Sequence, residues 1–307
     1  MSRGCAYALV AAIAAVPRLV VLLVERGDIL TKFTDKGDDF ARTFVSSGTY
    51  GFLPGHASAY TQPLYGFFLV PLYWIFGRHW EVVGIAQILV AVATAVLVFE
   101  IGRRLVSAWG GVVAAALSTL HPYLLWHDVH LNREILDQFL AAAIVLLTLV
   151  LTSRPTLRVG ALLGLALGLG ILGNVRLAAL PLVVGLFVLW RAGVRRDALV
   201  AVGVSLAATA LVVSPWVIRN RVSVGCFAVT TDARALWKAN NVNTYRTLTH
   251  GGWIDDVPRY PARRRHPRTP TSGISRPGTT RPSTSARRWT SSRTRCTPSG
   301  CTTPARR

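Results

Sequence analysis

The chain is poor in acids: only 14 of its 307 residues are Asp or Glu, against 34 Lys and Arg. Charged residues of both signs make up 16%, beside 51% apolar residues and a mean hydropathy of +0.41, which excludes an ordinary soluble domain and points to a membrane protein. Cysteine is scarce as well. Cys5, Cys226, Cys296 and Cys301 are too few and too scattered for a disulfide framework, and their spacing to histidine matches no zinc-site pattern. No repeat of the solenoid or propeller kind is present. The formal charge of +20 invites a nucleic-acid reading until its position is checked. From Arg259 to Arg307 there are 13 arginines and no acid, which leaves +7 for everything before them. The basicity belongs mainly to one segment, and no nucleic-acid partner is expected.

What is abundant is apolar sequence in long runs. Cys5 to Val24 is long enough to span a bilayer, although Arg3 and the small residues Ala12 to Ala15 also fit a secretory signal. Further spans read as Val82 to Ile101, Val106 to Leu125, Ile135 to Thr152, Val159 to Gly173, Leu177 to Trp190 and Ala198 to Val217, seven in all and two of them short. Cytoplasmic loops retain Lys and Arg. An inside Arg3 then puts Arg103, Arg104, Arg154, Arg158, Arg191, Arg195 and Arg196 inside too, with a cytoplasmic N-terminus. This alternation requires that the 15-residue stretch Pro63 to Gly77 does not cross. Its Tyr65, Phe67, Phe68, Tyr73 and Trp74 suit an interfacial or re-entrant segment within an external loop from Glu25 to Glu81. Gly160, Gly164 and Gly168 form a small-residue stripe for close helix packing.

After Pro258 the pattern stops, and Arg, Pro, Ser and Thr take over around isolated Ile274 and Trp289. Such a segment cannot bury enough surface to offset its ordering entropy. The chain thus divides into a membrane domain over residues 1–258 and a basic low-complexity tail over 259–307, expected to be disordered or an out-of-frame end.

Polar groups gather at the outer ends of the helices. Asp35, Asp38 and Asp39 sit just before and within a segment where Phe40, Phe44 and Val45 recur at helical spacing. A helix beginning near Gly37 puts Asp38 and Asp39 in its first turn, where carboxylates favour the positive dipole end; the alternative is a general base or a cation ligand. Between two spans lies His121-Pro-Tyr-Leu-Leu-Trp-His127-Asp128-Val-His130-Leu-Asn132-Arg133-Glu134. His127, His130 and Glu134 on one helical turn would make a weak metal site, the two histidines being its candidate ligands. The other readings are a hydrogen-bonded loop, or substrate contacts by Arg133 and Glu134. Arg176 and Arg219 also fall at outer helix ends, where arginines either anchor the helix or meet a lipid-linked phosphate. A divalent cation is the one cofactor left open.

Taken in order, these segments resemble the polytopic glycosyltransferases of family 39, the protein O-mannosyltransferase and aminoarabinose-transferase-like group with the GT-C fold. The resemblance runs from about residue 4 to Pro258. It rests on Gly37-Asp-Asp-Phe-Ala41, Gly48-Thr-Tyr-Gly-Phe52, Ser58-Ala-Tyr60-Thr-Gln62-Pro-Leu-Tyr65 and Ile75-Phe-Gly77. Later come Gly102-Arg-Arg-Leu105, Asn174-Val-Arg176-Leu with Leu180-Pro181, and Pro215-Trp-Val-Ile-Arg219-Asn220. It implies an all-α polytopic membrane protein: a GT-C-like bundle whose long first external loop contains juxtamembrane helices. It also implies transfer of a sugar from a polyprenyl-phosphate carrier, without a nucleotide site, to a protein, lipid or glycan acceptor at the external face. The family's catalytic carboxylate lies in the first external loop, here Asp38, Asp39 or Asp35. The Glu and Tyr that usually follow it are absent. The Lys or Arg that many members carry before Pro-Leu is replaced by Thr61 and Gln62, so the phosphate contacts fall to Arg133, Arg176 and Arg219, with Gln62, Tyr60 and Glu134 nearby. Members commonly continue into more spans or an external domain, which makes a C-terminally truncated or frameshifted chain an expectation too. The rival classes are a small-solute transporter, disfavoured because polar groups cluster at helix ends and not at midplane, and a non-catalytic membrane fragment or scaffold.

Overall fold

A computed structural model of the chain describes residues 2–231, 237 and 240–251, with the backbone of six further residues. The first compact unit ends at Thr231. Its elements are α1 (Arg3–Val24), α2 (Lys36–Ser47), α3 (Pro63–Phe76), α4 (Trp80–Leu105), α5 (Ala108–Thr119), α6 (Pro122–His127), α7 (Glu134–Ser153), α8 (Leu157–Gly173), a 3-10 turn (Val175–Ala179), α9 (Leu180–Ala192) and α10 (Arg196–Ser223). In the second unit α11 (Val242–Thr249) starts at Asn241, whose side chain caps the Asn243 N–H, and β1 (Arg295–Thr297) pairs antiparallel with β2 (Gly300–Thr302). The expectation of a structureless or out-of-frame tail over 259–307 otherwise lies outside the described residues.

Every apolar run read as a span is helical, and the protein is an all-α, multi-pass membrane protein. Among the described residues five helices are long and apolar enough to cross: α1, α4, α7, α10 and the continuous Val175–Ala192. The other two runs read as spans, Val106 to Leu125 and Val159 to Gly173, hold shorter apolar helices, Ala108–Thr119 and Leu157–Gly173. The run Val106 to Leu125 is not one helix, because α5 stops at Thr119 and a new helix starts at Pro122, which lacks the N–H that continuation would need. At about 1.5 Å per residue α5 alone is roughly 18 Å long against a bilayer core of about 30 Å, whereas the 17-residue α8 reaches about 26 Å. Leu19, Leu23, Leu89, Leu117, Leu186, Trp190 and Leu211 are exposed around the bundle, where no water-soluble protein would leave them.

Two packed cores set the frame. Ala6, Val10 and Ala14 of α1 pack on Ala95, Phe99, Val112 and Ala115 of α4 and α5, while Leu140, Ile144, Leu163, Leu167, Val188 and Ala201 join α7 to α10. The glycine stripe lets α8 lie directly on α10: a side chain at Gly164 would sit 2.2 Å from the Ser205 carbonyl oxygen, and Thr209 Oγ1 donates to Gly164 O at 3.1 Å. Between α1 and α4 lies the segment read as the first loop. It carries the amphipathic α2 and the apolar α3, whose Tyr65, Leu69 and Tyr73 are buried against α2 and α4 while Trp74, Ile75 and Phe76 face outward. Tyr50 fastens the strap between them by donating to Pro63 O at 3.0 Å, and only glycine fits at position 66, where a Cβ would stand 2.1 Å from that hydroxyl oxygen.

Candidate active site

The three aspartates part company in the structure. Helix α2 begins one residue earlier than its apolar spacing suggests, so Asp35 is its N-cap: Oδ1 accepts the Gly37 N–H at 2.7 Å, and the Asp35 N–H donates to Leu131 O at 2.9 Å. Burial is the main cause of a carboxyl pKa raised above the ordinary aspartate value, opposed by the Gly37 N–H and by the nearby charges of Arg133 and Lys36. Asp38 is 2% exposed and fully engaged. Its Oδ1 accepts from Tyr73 Oη at 2.6 Å and Arg78 Nε at 2.9 Å, its Oδ2 from Arg78 Nη2 at 2.8 Å, and Arg78 also holds Leu30 O. Such a bidentate pair fastens the start of the loop to the end of α3 and leaves no open carboxylate oxygen facing a substrate. Asp39 is exposed, 3.9 Å from Arg42.

Around Asp35 the chain assembles groups far apart in sequence. Arg133, the N-cap residue of α7, donates from Nη1 to Gln62 Oε1. The cation thus stands against the position where the resemblance leads one to expect Lys or Arg. Lys36 lies 4.9 Å over the Tyr60 ring with Nζ 3.4 Å from its hydroxyl. Asp137, one turn into α7, lies within electrostatic reach of Arg133, Glu134 and Asp35, and accepts from Asn174 Nδ2 at 3.3 Å. Glu134 itself is exposed, its backbone N–H capped by Asn132 Oδ1. Arg176 is exposed in the 3-10 turn, with its N–H on Asn174 Oδ1.

Arg219 occupies a neighbouring place. Its Nη1 donates to Ser58 O and Asn220 Oδ1, its Nη2 to Tyr50 O, and the guanidinium stacks 4.7 Å over Trp216. It lines a cavity of about 670 Å³ walled by Phe44, Tyr50, Phe67, Leu172, Val212 and Trp216. Aromatic walls with one cation suit a lipid chain and its polar head.

The histidines are not arranged as a metal turn. His127 ends α6 and meets Asn132 Nδ2 at 2.9 Å; His130 lies in the following turn, buried and stacked 3.8 Å from Trp126, with Nε2 3.9 Å from Glu25 Oε2; Glu134 opens α7. The expectation of one shared helical turn is corrected, because the chain bends between residues 128 and 133. Among the described residues, no group of three or more His, Cys, Asp or Glu is placed to hold a metal ion.

Three polar residues were given no role from the sequence although a signal existed. Asp137, Gln87 and Arg18 each interrupt an apolar run, and a polar residue within a membrane helix marks function or a buried partner. Arg18 is 1% exposed. Its Nε and Nη2 donate to Asp128 Oδ2 at 3.0 and 2.6 Å, and its Nη1 to Ala14 O and Thr119 Oγ1.

No curated protein and no solved structure shows a match to the chain. The family described as dolichyl-phosphate-mannose-protein mannosyltransferase matches residues 58–218, just over half of the chain. That stretch includes Tyr60, Gln62, Arg133, Asp137 and Arg176, and it begins after the three aspartates. With its helical bundle and its polar cluster at one end, the chain belongs to the dolichyl-phosphate-mannose-protein mannosyltransferase family, of GT-C type.

Proposed function

We propose that the chain transfers a sugar, mannose in the first instance, from a polyprenyl-phosphate carrier to an acceptor hydroxyl of a protein or glycan, and that it does so at the external face of the membrane. The observation that carries the reading is the meeting of Asp35 with Arg133 and Gln62 at one end of the bundle. In this reaction Asp35 takes the acceptor proton, the acceptor oxygen bonds to the anomeric carbon, and the bond from that carbon to the phosphate oxygen breaks with its electrons going to the phosphate. The departing phosphate is held by the Arg133 guanidinium, with Lys36 close by. Asp137 is positioned to bind a sugar hydroxyl. The aromatic cavity beside Arg219 has the size and lining for the first isoprene units of the carrier. An external site agrees with the arginines Arg103, Arg104, Arg154, Arg158, Arg191, Arg195 and Arg196, all at the opposite helix ends.

The test compares Asp35→Asn with Asp38→Asn in membranes supplied with polyprenyl-phosphate mannose. Asp35→Asn should lower the transfer rate by on the order of 100-fold or more with carrier binding nearly intact. Asp38→Asn should instead lower thermal stability, because Arg78 loses its partner. An Asp35→Asn protein transferring within a few-fold of wild type would eliminate Asp35 as the base.

A further inference from the structure

Gln87 lies two turns into α4 and is 0% exposed. A primary amide in an apolar helix is costly to bury unless its bonds are made, and here they are all made outside the helix. Nε2 donates to Asp128 O and to His130 O, both at 2.8 Å, and Oε1 accepts from Tyr65 Oη at 2.7 Å. Each of these partners leads to the candidate site. The carbonyls of residues 128 and 130 belong to the turn joining α6 to α7. With both held, the backbone that follows is directed so that Leu131 O meets the Asp35 N–H and Arg133 comes against Gln62. Tyr65 stands on α3 with its ring against Gly37, where a Cβ would be 2.9 Å from Cδ1, so the same amide also fixes the opposite wall, the first turn of α2. The Arg18–Asp128 pair grips the same turn from the α1 side.

We propose that Gln87 is a positioning residue for sugar transfer: its amide ties the 128–131 turn to α3 and thereby sets the placement of Asp35 relative to Arg133. This rests on the transferase reading above. Gln87 touches no reacting atom, and its effect is exerted on geometry, where a displacement of about 1 Å costs on the order of 100-fold in rate.

The experiment uses the full chain in detergent or nanodiscs, with Gln87→Leu and Gln87→Glu, and three readouts: transfer from polyprenyl-phosphate mannose, thermal unfolding, and hydrogen exchange at the Asp35 amide. Folded Gln87→Leu should lose about 10- to 100-fold in kcat, with the carrier KM moving less than about threefold. Its Asp35 amide, freed from Leu131 O, should exchange faster than in wild type. Gln87→Glu separates positioning from packing. As a protonated acid it still accepts from Tyr65 and donates to one carbonyl; as a carboxylate it keeps the Tyr65 bond but repels the carbonyl oxygens of residues 128 and 130, so its rate should fall as pH rises across the range where wild type does not fall. Gln87→Leu that folds with kcat within threefold of wild type, or with unchanged Asp35 exchange, overturns the proposal. Should Gln87→Leu fail to fold, a Gln87→Glu protein with the wild-type pH profile and wild-type exchange overturns it. A wild type that transfers no sugar refutes the transferase reading alone, and Asp35 exchange then decides whether Gln87 positions that residue.

Discussion

Replacing Arg18 by Met tests the buried ion pair that joins α1 to the turn before α7. Both side chains are almost fully buried, at 1% and 2% exposure, and the guanidinium makes four donor contacts, two of them to Asp128. Taking away the cation leaves Asp128 buried with the weak Gln138 amide hydrogen bond at 3.3 Å in place of the guanidinium. Breaking such a pair from one side costs about 3–5 kcal/mol, whereas replacing both partners by apolar residues of similar size is often neutral. For a chain of this size each kcal/mol moves the midpoint by about 2–4 °C, so Arg18→Met should lower the detergent Tm by on the order of 10 °C. Arg18→Met with Asp128→Leu should recover most of that loss. The assay is tryptophan fluorescence on heating at one fixed scan rate, because membrane proteins unfold irreversibly and their Tm depends on the rate. A single variant within about 2 °C of wild type, or a double variant as unstable as the two single losses added together, would refute the reasoning.

Arg133→Met should raise the carrier KM about 10-fold or more, and Gln62→Lys in the same chain should restore part of it by placing an ammonium where the guanidinium stood; no recovery in a folded double variant counts against a phosphate role. The raised Asp35 pKa makes the rate fall with acid above the ordinary carboxylate range, since a base must be ionised, and a kcat/KM profile with its acid limb at or below that range contradicts this. For stability the sign is opposite: the native protein favours protonated Asp35, so that contribution is full below the unfolded pKa and is lost as pH rises through the raised one. Asp35→Asn, still a good N-cap, should therefore be no less heat-stable than wild type at neutral pH, and a clear drop in Tm would reject this. Gly164→Leu should cost about 1–3 kcal/mol because its Cβ meets Ser205 O and Ala208, while Gly203→Leu, with nothing within 4 Å, should change Tm little; equal losses would remove the packing explanation.

The membrane helices were legible because apolar length is a local property. What misled was the run through Leu120, where Pro122 divides a hydrophobic stretch into two helices without changing its hydropathy. The aspartate triplet was visible, but the different surroundings of its members depend on Arg78, 40 residues from Asp38, and on Arg133, whose partner Gln62 is 71 residues away. Spacing along one helix carries no record of which other helix lies beside it. Asp137 and Gln87 were hidden for the opposite reason: each was absorbed into a hydrophobic run whose average it barely altered.

The contact between Arg18 and Asp128 also has a history. Its partners are 110 residues apart, so the first helix leaves the ribosome bearing a cation whose partner is not yet made. At about 5–20 residues per second that interval is roughly 5–20 seconds. Throughout it the side chain must reach toward headgroups, or α1 must wait in a hydrated setting beside the insertion machinery. Seating of the first helix then coincides with synthesis of the 128–133 turn, so the earliest helix to be made is not locked in place until α6 has been made.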